Sequence, residues 1–182
     1  IIELANYFLD KYIAETGRNR IVRIAWATAQ VDAGAIPITT SSIYAFSLIT
    51  SPWHLAVDGD ELYVTSVARN TFEHYKISSM SMQYGATYSG PEGITVYNNN
   101  VYFTTNLNGV TNQIRKYVPY GGEVTTLQDV AEIGAYNHPG DIVICGGSMY
   151  LLMTGVTAVY RADLDGANPV KIAGAARWNT RF

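Results

Sequence analysis

The chain has 182 residues, with 12 Lys+Arg against 15 Asp+Glu and a formal net charge of −3. That size suits one ordinary domain, and the charge lacks the basic face that a nucleic-acid partner requires. A hydrophobic fraction of 48% excludes intrinsic disorder, a single cysteine excludes an internal disulfide, and no apolar run is long enough to span a membrane. Few charges (15%), 14 Tyr and 16 Gly point to β-sheet with many turns.

Taken in order, the chain opens on Ile1 without Met or signal peptide and reads as cut from something longer. NYFLDKYIA around Tyr7, NRIVRIAWA around Arg23 and AIPITT fit a partial unit over residues 1–50. Within it Ser41 to Ile49 is poorly patterned and reads as a crossing between units. Three segments then align without gaps: PWHLAVDGDELYVT from Pro52, PEGITVYNNNVYFT from Pro91 and PGDIVICGGSMYLL from Pro139. In each, a Pro precedes alternating apolar residues (Leu55 and Val57, Ile94 and Val96, Ile142 and Ile144) and an Asp/Asn/Gly turn. A Tyr (Tyr63, Tyr102, Tyr150) then stands eleven residues after the Pro. Each segment is a predicted β-hairpin. Third strands follow at FEHYKIS, NQIRKYV and AVYRADL, and fourth strands at MQYGATYS, GEVTTL and NPVKIAG.

The units therefore run about 1–50, 51–90, 91–137 and 138–176, and 177–182 start or close a blade. Tyrosines at 7, 63, 102 and 150 are spaced by 56, 39 and 48 residues, around the 40–50 of four-stranded propeller blades. A β-sandwich would not repeat Pro and Tyr in register, and a solenoid would have a shorter period. The predicted fold is all-β, a single β-propeller domain of about four four-stranded blades.

A family resemblance sits on the last unit. MYLLMTGVTAVYRADLDGANPVKIAG resembles a YWTD repeat of the low-density-lipoprotein-receptor class B kind, in which Tyr160, Arg161, Leu164, Asp165 and Gly166 match the second half. The first half is degraded: LYVTS from Leu62 and YFTTN from Tyr102 keep the Tyr and Thr, and NYFLDKY from Asn6 keeps the Tyr and Asp. Residues 91–127, with YGGEVTTL, also resemble NHL and gluconolactonase-like propellers. The resemblance implies architecture, not activity. YWTD-like propellers are expected to have six blades, where four units fit here. Two readings stay open: a ring closed by pairing Trp178–Phe182 with Ile1–Leu4, or part of a larger ring completed by further blades or a second copy.

In a propeller the first strand of each blade lines the channel, so positions just after each repeat Pro converge: Trp53 and His54, Glu92 and Gly93, Gly140 and Asp141. His54, Glu92 and Asp141 form a workable divalent-cation set, and the gluconolactonase-like resemblance implies a metal at such a place. Strand alternation sets Glu92 out of phase with the other two. His138 joins this rim, whereas His74 reads as a surface or edge residue and Cys145 as a buried small hydrophobe. The loop Asn106–Asn112, which includes Asn108, is a candidate ligand loop. Tyr12, Tyr44, Tyr88, Tyr97, Tyr117, Tyr120 and Tyr136 are candidates for an aromatic contact surface.

No G-x-S-x-G, H-E-x-x-H, phosphate-cradling Gly loop or CxxC is present. The expectation is a non-catalytic module that binds a protein or glycan, or assembles with its own copies, in an extracellular or cell-surface setting and without a cofactor. The alternative is a metal-dependent hydrolase or lactonase of the gluconolactonase-like kind.

Overall fold

The computed structural model describes residues 4–7, 10–24, 43–46, 49–106, 112–129 and 138–174. They form four four-stranded antiparallel sheets, each a meander in chain order. The first comprises β1 (Leu4–Tyr7), β2 (Asp10–Glu15), β3 (Arg20–Ile24) and β4 (Ile43–Phe46). The second comprises β5 (His54–Asp58), β6 (Glu61–Ser66), β7 (Thr71–Lys76) and β8 (Ser81–Thr87). The third comprises β9 (Pro91–Tyr97), β10 (Asn100–Thr105), β11 (Gln113–Val118) and β12 (Glu123–Asp129). The fourth comprises β13 (Pro139–Cys145), β14 (Ser148–Met153), β15 (Ala158–Asp163) and β16 (Val170–Gly174). The one helical element among the described residues is a 3₁₀ turn, Thr16–Arg18. The all-β architecture of four propeller-type blades thus holds. Two compact units divide the chain at residue 87, the first carrying the first two sheets and the second the last two.

The Pro-to-Tyr alignment is a true register. Leu55 pairs with Val64, Ile94 with Phe103 and Ile142 with Leu151, one residue after each repeat Tyr. All three apolar residues are buried. Each repeat Tyr is the third residue of its second strand and stands opposite a basic residue: Tyr63 opposite His74, Tyr102 opposite Lys116 and Tyr150 opposite Arg161. In the first sheet that place belongs to Tyr12, opposite Arg23, and not to Tyr7, which ends β1 beside Asp10. No Pro sets the phase there, and two tyrosines five residues apart offered two alignments. A second correction concerns β4, which occupies Ile43–Phe46, inside the stretch expected to be a crossing. AIPITT lies outside the described residues.

Turn chemistry follows the composition. Asn98 and Asn99 (φ 49° and 57°) and Gly146 and Gly147 (φ 57° and 78°) make two-residue hairpin turns. Their positive φ matches the twist of the strands they join. The Leu164-Asp165-Gly166 motif is also a turn: Gly166 N–H donates to Asp163 O at 2.9 Å, and Asp165 Oδ1 accepts from Ala167 N at 2.9 Å.

The cores are sheet-on-sheet. In the first unit Tyr12, Ala14 and Ile21 join Leu55, Leu62, Val64 and Tyr75 in one cluster. In the second, Tyr102 and Ile114 join Ile142, Met149, Leu151 and Met153. Each such apolar side chain contributes roughly 1.5–3 kcal/mol when fully buried.

Burial corrects several sequence expectations. Tyr12 and Tyr117 are core residues, Tyr97 packs on the second core, and Tyr120 is 83% exposed. The side chain of Tyr44 and all of Tyr136 lie outside the described set. Cys145 is exposed, because strand alternation puts it on the face of β13 opposite Ile142. His74 is buried, not superficial: its Nε2–H donates to Glu61 Oε2 at 2.6 Å, and its ring stacks 4.6 Å from that of Tyr63. Removing one member of such a buried pair strips the other of a charge-assisted bond. His74→Ala is therefore expected to lower unfolding free energy by about 1–3 kcal/mol in urea titrations.

Burial, and then a 2.7 Å bond donated to Glu73 Oε2, push the Tyr75 hydroxyl well above its usual pKa. A raised folded pKa means stability is complete below the unfolded value of about 10 and falls as pH rises beyond it. The alkaline decline in melting temperature should be shallower in Tyr75→Phe than in the parent; equal declines would show that Tyr75 ionisation plays no part.

Candidate functional site

The site is built at one end of the inner strands of the second unit. Opposite Thr104, β9 has two residues where β10 has one, because Ile94 pairs with Phe103 and Pro91 with Thr105. A second bulge at Gly140 interrupts β13 between Pro139 and Asp141. Such bulges re-aim side chains at strand ends. The fully buried Thr104 hydroxyl links the two strands, accepting from Gly93 N at 3.0 Å and donating to Gly140 O at 3.1 Å. A Cβ on Gly93 would lie 2.6 Å from both Asp141 Cα and Gly140 O, so only glycine permits this approach.

On this platform Glu92, Asn106 and His138 form a relay. Asn106 follows β10 and is held by its N–H, which donates to Gly90 O at 2.7 Å. Its Nδ2 donates to Glu92 Oε1 at a long 3.4 Å, and its Oδ1 lies 2.6 Å from His138 Nδ1. The carboxylate only accepts, so the amide nitrogen must face Glu92 and the amide oxygen must face His138. His138 Nδ1 therefore carries a proton, which leaves Nε2 of the neutral ring as an acceptor. The backbone of His138 is fixed as well, its carbonyl accepting from Thr154 N at 2.7 Å and Thr154 Oγ1 at 3.1 Å. Asp141 turns back on its own strand, its Oδ1 accepting from Ile142 N at 2.8 Å.

Of the sequence-derived candidates, the structure thus brings together Glu92, Asn106 and His138, with Asp141 on the adjoining strand. Asn112 is buried at 4% exposure. Asn108 lies outside the described residues. Trp53 and His54 belong to the first unit, where Trp53 N–H donates to Thr65 O at 2.8 Å and the two rings are 6.2 Å apart. Among the described residues no three His, Cys, Asp or Glu side chains gather as a metal-holding group. Thr104 was not singled out from sequence, and Gly93 only as a position at the channel entry; the EG and GD dipeptides after the repeat prolines are the signal that a bulge lay there.

No protein-family model matches the chain, and no curated protein matches it in sequence. Solved structures do match in fold. Hydrazine synthase of Kuenenia stuttgartiensis aligns with TM-score 0.67 and 14% identity over 90% of this chain and 46% of that one. A chain of a nidogen/laminin complex aligns with TM-score 0.58 and 16% identity over 93% of this chain and 78% of that one. A putative 6-phosphogluconolactonase from Bacteroides uniformis aligns with TM-score 0.61 and 13% identity over 94% and 54%. This chain spans about half the length of the first and third. These likenesses fit the YWTD and gluconolactonase-like propeller resemblance.

Two substitutions test this geometry. Thr104→Val would leave Gly93 N–H and Gly140 O buried without their partner, and is expected to cost about 1–3 kcal/mol in urea unfolding. Asn106→Leu should convert His138 from the Nδ1–H tautomer towards a mixture, read from the ring ¹⁵N shifts; an unchanged tautomer would show that the relay does not set it.

Proposed function

We propose that this chain is a non-catalytic propeller-type binding module that offers the strand ends of its second unit to a protein partner. The carrying observation is the Glu92–Asn106–His138 relay. Its groups hold one another and fix the direction of His138 Nε2, which suits hydrogen-bond recognition of a donor on a partner. The nidogen/laminin complex among the structural neighbours is itself an assembly of proteins, and that supports a protein rather than a glycan. The same reading places the protein outside the cell or at its surface and includes association between copies. No helix among the described residues is long and apolar enough to cross a membrane.

A second reading, a lactone hydrolase, draws on the lactonase neighbour and on the acceptor nitrogen of His138, which a general base would need. A photo-crosslinking residue at exposed Thr154, beside His138, should capture a discrete protein when the module is displayed on cells. The same residue at exposed Tyr120 should not, and Asn106→Leu should weaken capture at 154. Turnover of gluconolactone in the presence of Ca²⁺ or Mn²⁺, lost in His138→Ala, would replace the binding reading with the hydrolase.

A further inference from the structure

The register shared by the four sheets picks out one place, opposite the residue that follows the tyrosine of each second strand. It holds Val22 opposite Ile13, Glu73 opposite Val64, Arg115 opposite Phe103 and Tyr160 opposite Leu151. Three of these occupants are satisfied where they stand. Val22 is buried and apolar, the Glu73 carboxylate accepts from the Tyr75 hydroxyl at 2.7 Å, and Tyr160 packs on the second core. Arg115 sets a positive charge at the same place.

The surroundings of that charge are incomplete. Its guanidinium lies 4.8 Å from the centroid of the Tyr88 ring, which in turn meets Phe103 edge-on at 5.3 Å. Its Nη2 donates to Gln113 Oε1, a neutral amide oxygen. Its Nε is buried and makes no hydrogen bond among the described residues. Among those residues no Asp or Glu forms an ion pair with it. Burial lowers the pKa of the group, yet a guanidinium keeps its proton inside a protein. A half-buried cation with an orphaned N–H calls for an acceptor that carries a negative charge.

We propose that Arg115 anchors a carboxylate-binding site, reached past the exposed Thr126 that pairs with it on β12. Tyr88 holds the guanidinium at one side and Gln113 holds one of its ends, so the remaining N–H groups keep a set direction. A carboxylate is flat and takes two such N–H groups at once. One positive charge also matches one negative charge. Lys116, the next residue, points to the opposite face beside Tyr102, so it adds no second cation for a phosphate. The site shares no residue with the His138 relay and does not depend on that reading.

Arginine Nε–H resonances in ¹H–¹⁵N spectra read this site, with that of Arg115 assigned by its loss in Arg115→Lys. Sodium acetate should move the Arg115 resonance along a saturating curve with a millimolar Kd, and sodium chloride at equal ionic strength should not. The Thr126 amide should follow the same curve in the parent. It should stay still in Arg115→Lys, which keeps the charge but not the fork. Tyr88→Leu should weaken acetate binding roughly two- to fivefold with unchanged circular dichroism. A peptide with blocked termini and one glutamate identifies the source of the carboxylate. Affinity about tenfold or more above that of acetate marks an acidic side chain of a partner, and affinity at or below it marks a free acid. An Arg115 resonance that ignores acetate, moves equally in chloride, or responds more strongly to inorganic phosphate would overturn the carboxylate site. A Thr126 amide that still follows acetate in Arg115→Lys would do the same.

Discussion

A four-stranded sheet with apolar residues on both faces has to bury both, and most of this structure follows from that requirement. The tyrosine in the second strand faces one way and its successor faces the other. Each sheet therefore presents a tyrosine face and a second apolar face, and stacking joins unlike faces, as the Tyr12 and Tyr102 clusters show. A basic residue opposite the tyrosine recurs in all four sheets, as Arg23, His74, Lys116 and Arg161. His74 is the buried member of that set, and it brings Glu61 inward with it.

The same stacking explains the relay. β9 and β13 come close enough for Thr104 to bond both because glycine occupies position 93, while Gly140 leaves room for the Thr154 methyl. The bulge beside Gly93 lies next to Glu92, which accepts from Asn106, and Asn106 in turn meets His138. The polar arrangement at these strand ends thus depends on how tightly two sheets pack, and a change in the core would propagate to the orientation of His138.

Much of this was legible in the sequence. The Pro-to-Tyr spacing is a local record of a hairpin and its turn, so the second, third and fourth sheets could be read with their pairing register. The first sheet could not, since without its Pro two tyrosines competed and Tyr7 took the place of Tyr12. Cys145 was misread because DIVICGG is apolar at four successive positions, Ile142 to Cys145, and which face stays uncovered depends on residues far away in the chain. His74 looked superficial because its partner, Glu61, is thirteen residues away across a hairpin. For the site, Glu92 and Asp141 appeared to be out of phase by simple alternation. Parity counting fails across a β-bulge, so only the structure shows that Glu92 engages Asn106, and through it His138, while Asp141 folds back on its own strand.

The central claim, that the tyrosine faces of the first and third sheets are buried by the sheet that follows each of them, is tested most directly by ¹⁹F NMR of the chain labelled with 3-fluorotyrosine, with each resonance assigned by single Tyr→Phe substitution. Tyr12 and Tyr102 should show no H₂O/D₂O solvent isotope shift, and Tyr120 should show the full shift. A Tyr12 or Tyr102 signal that is exposed to solvent would contradict the account.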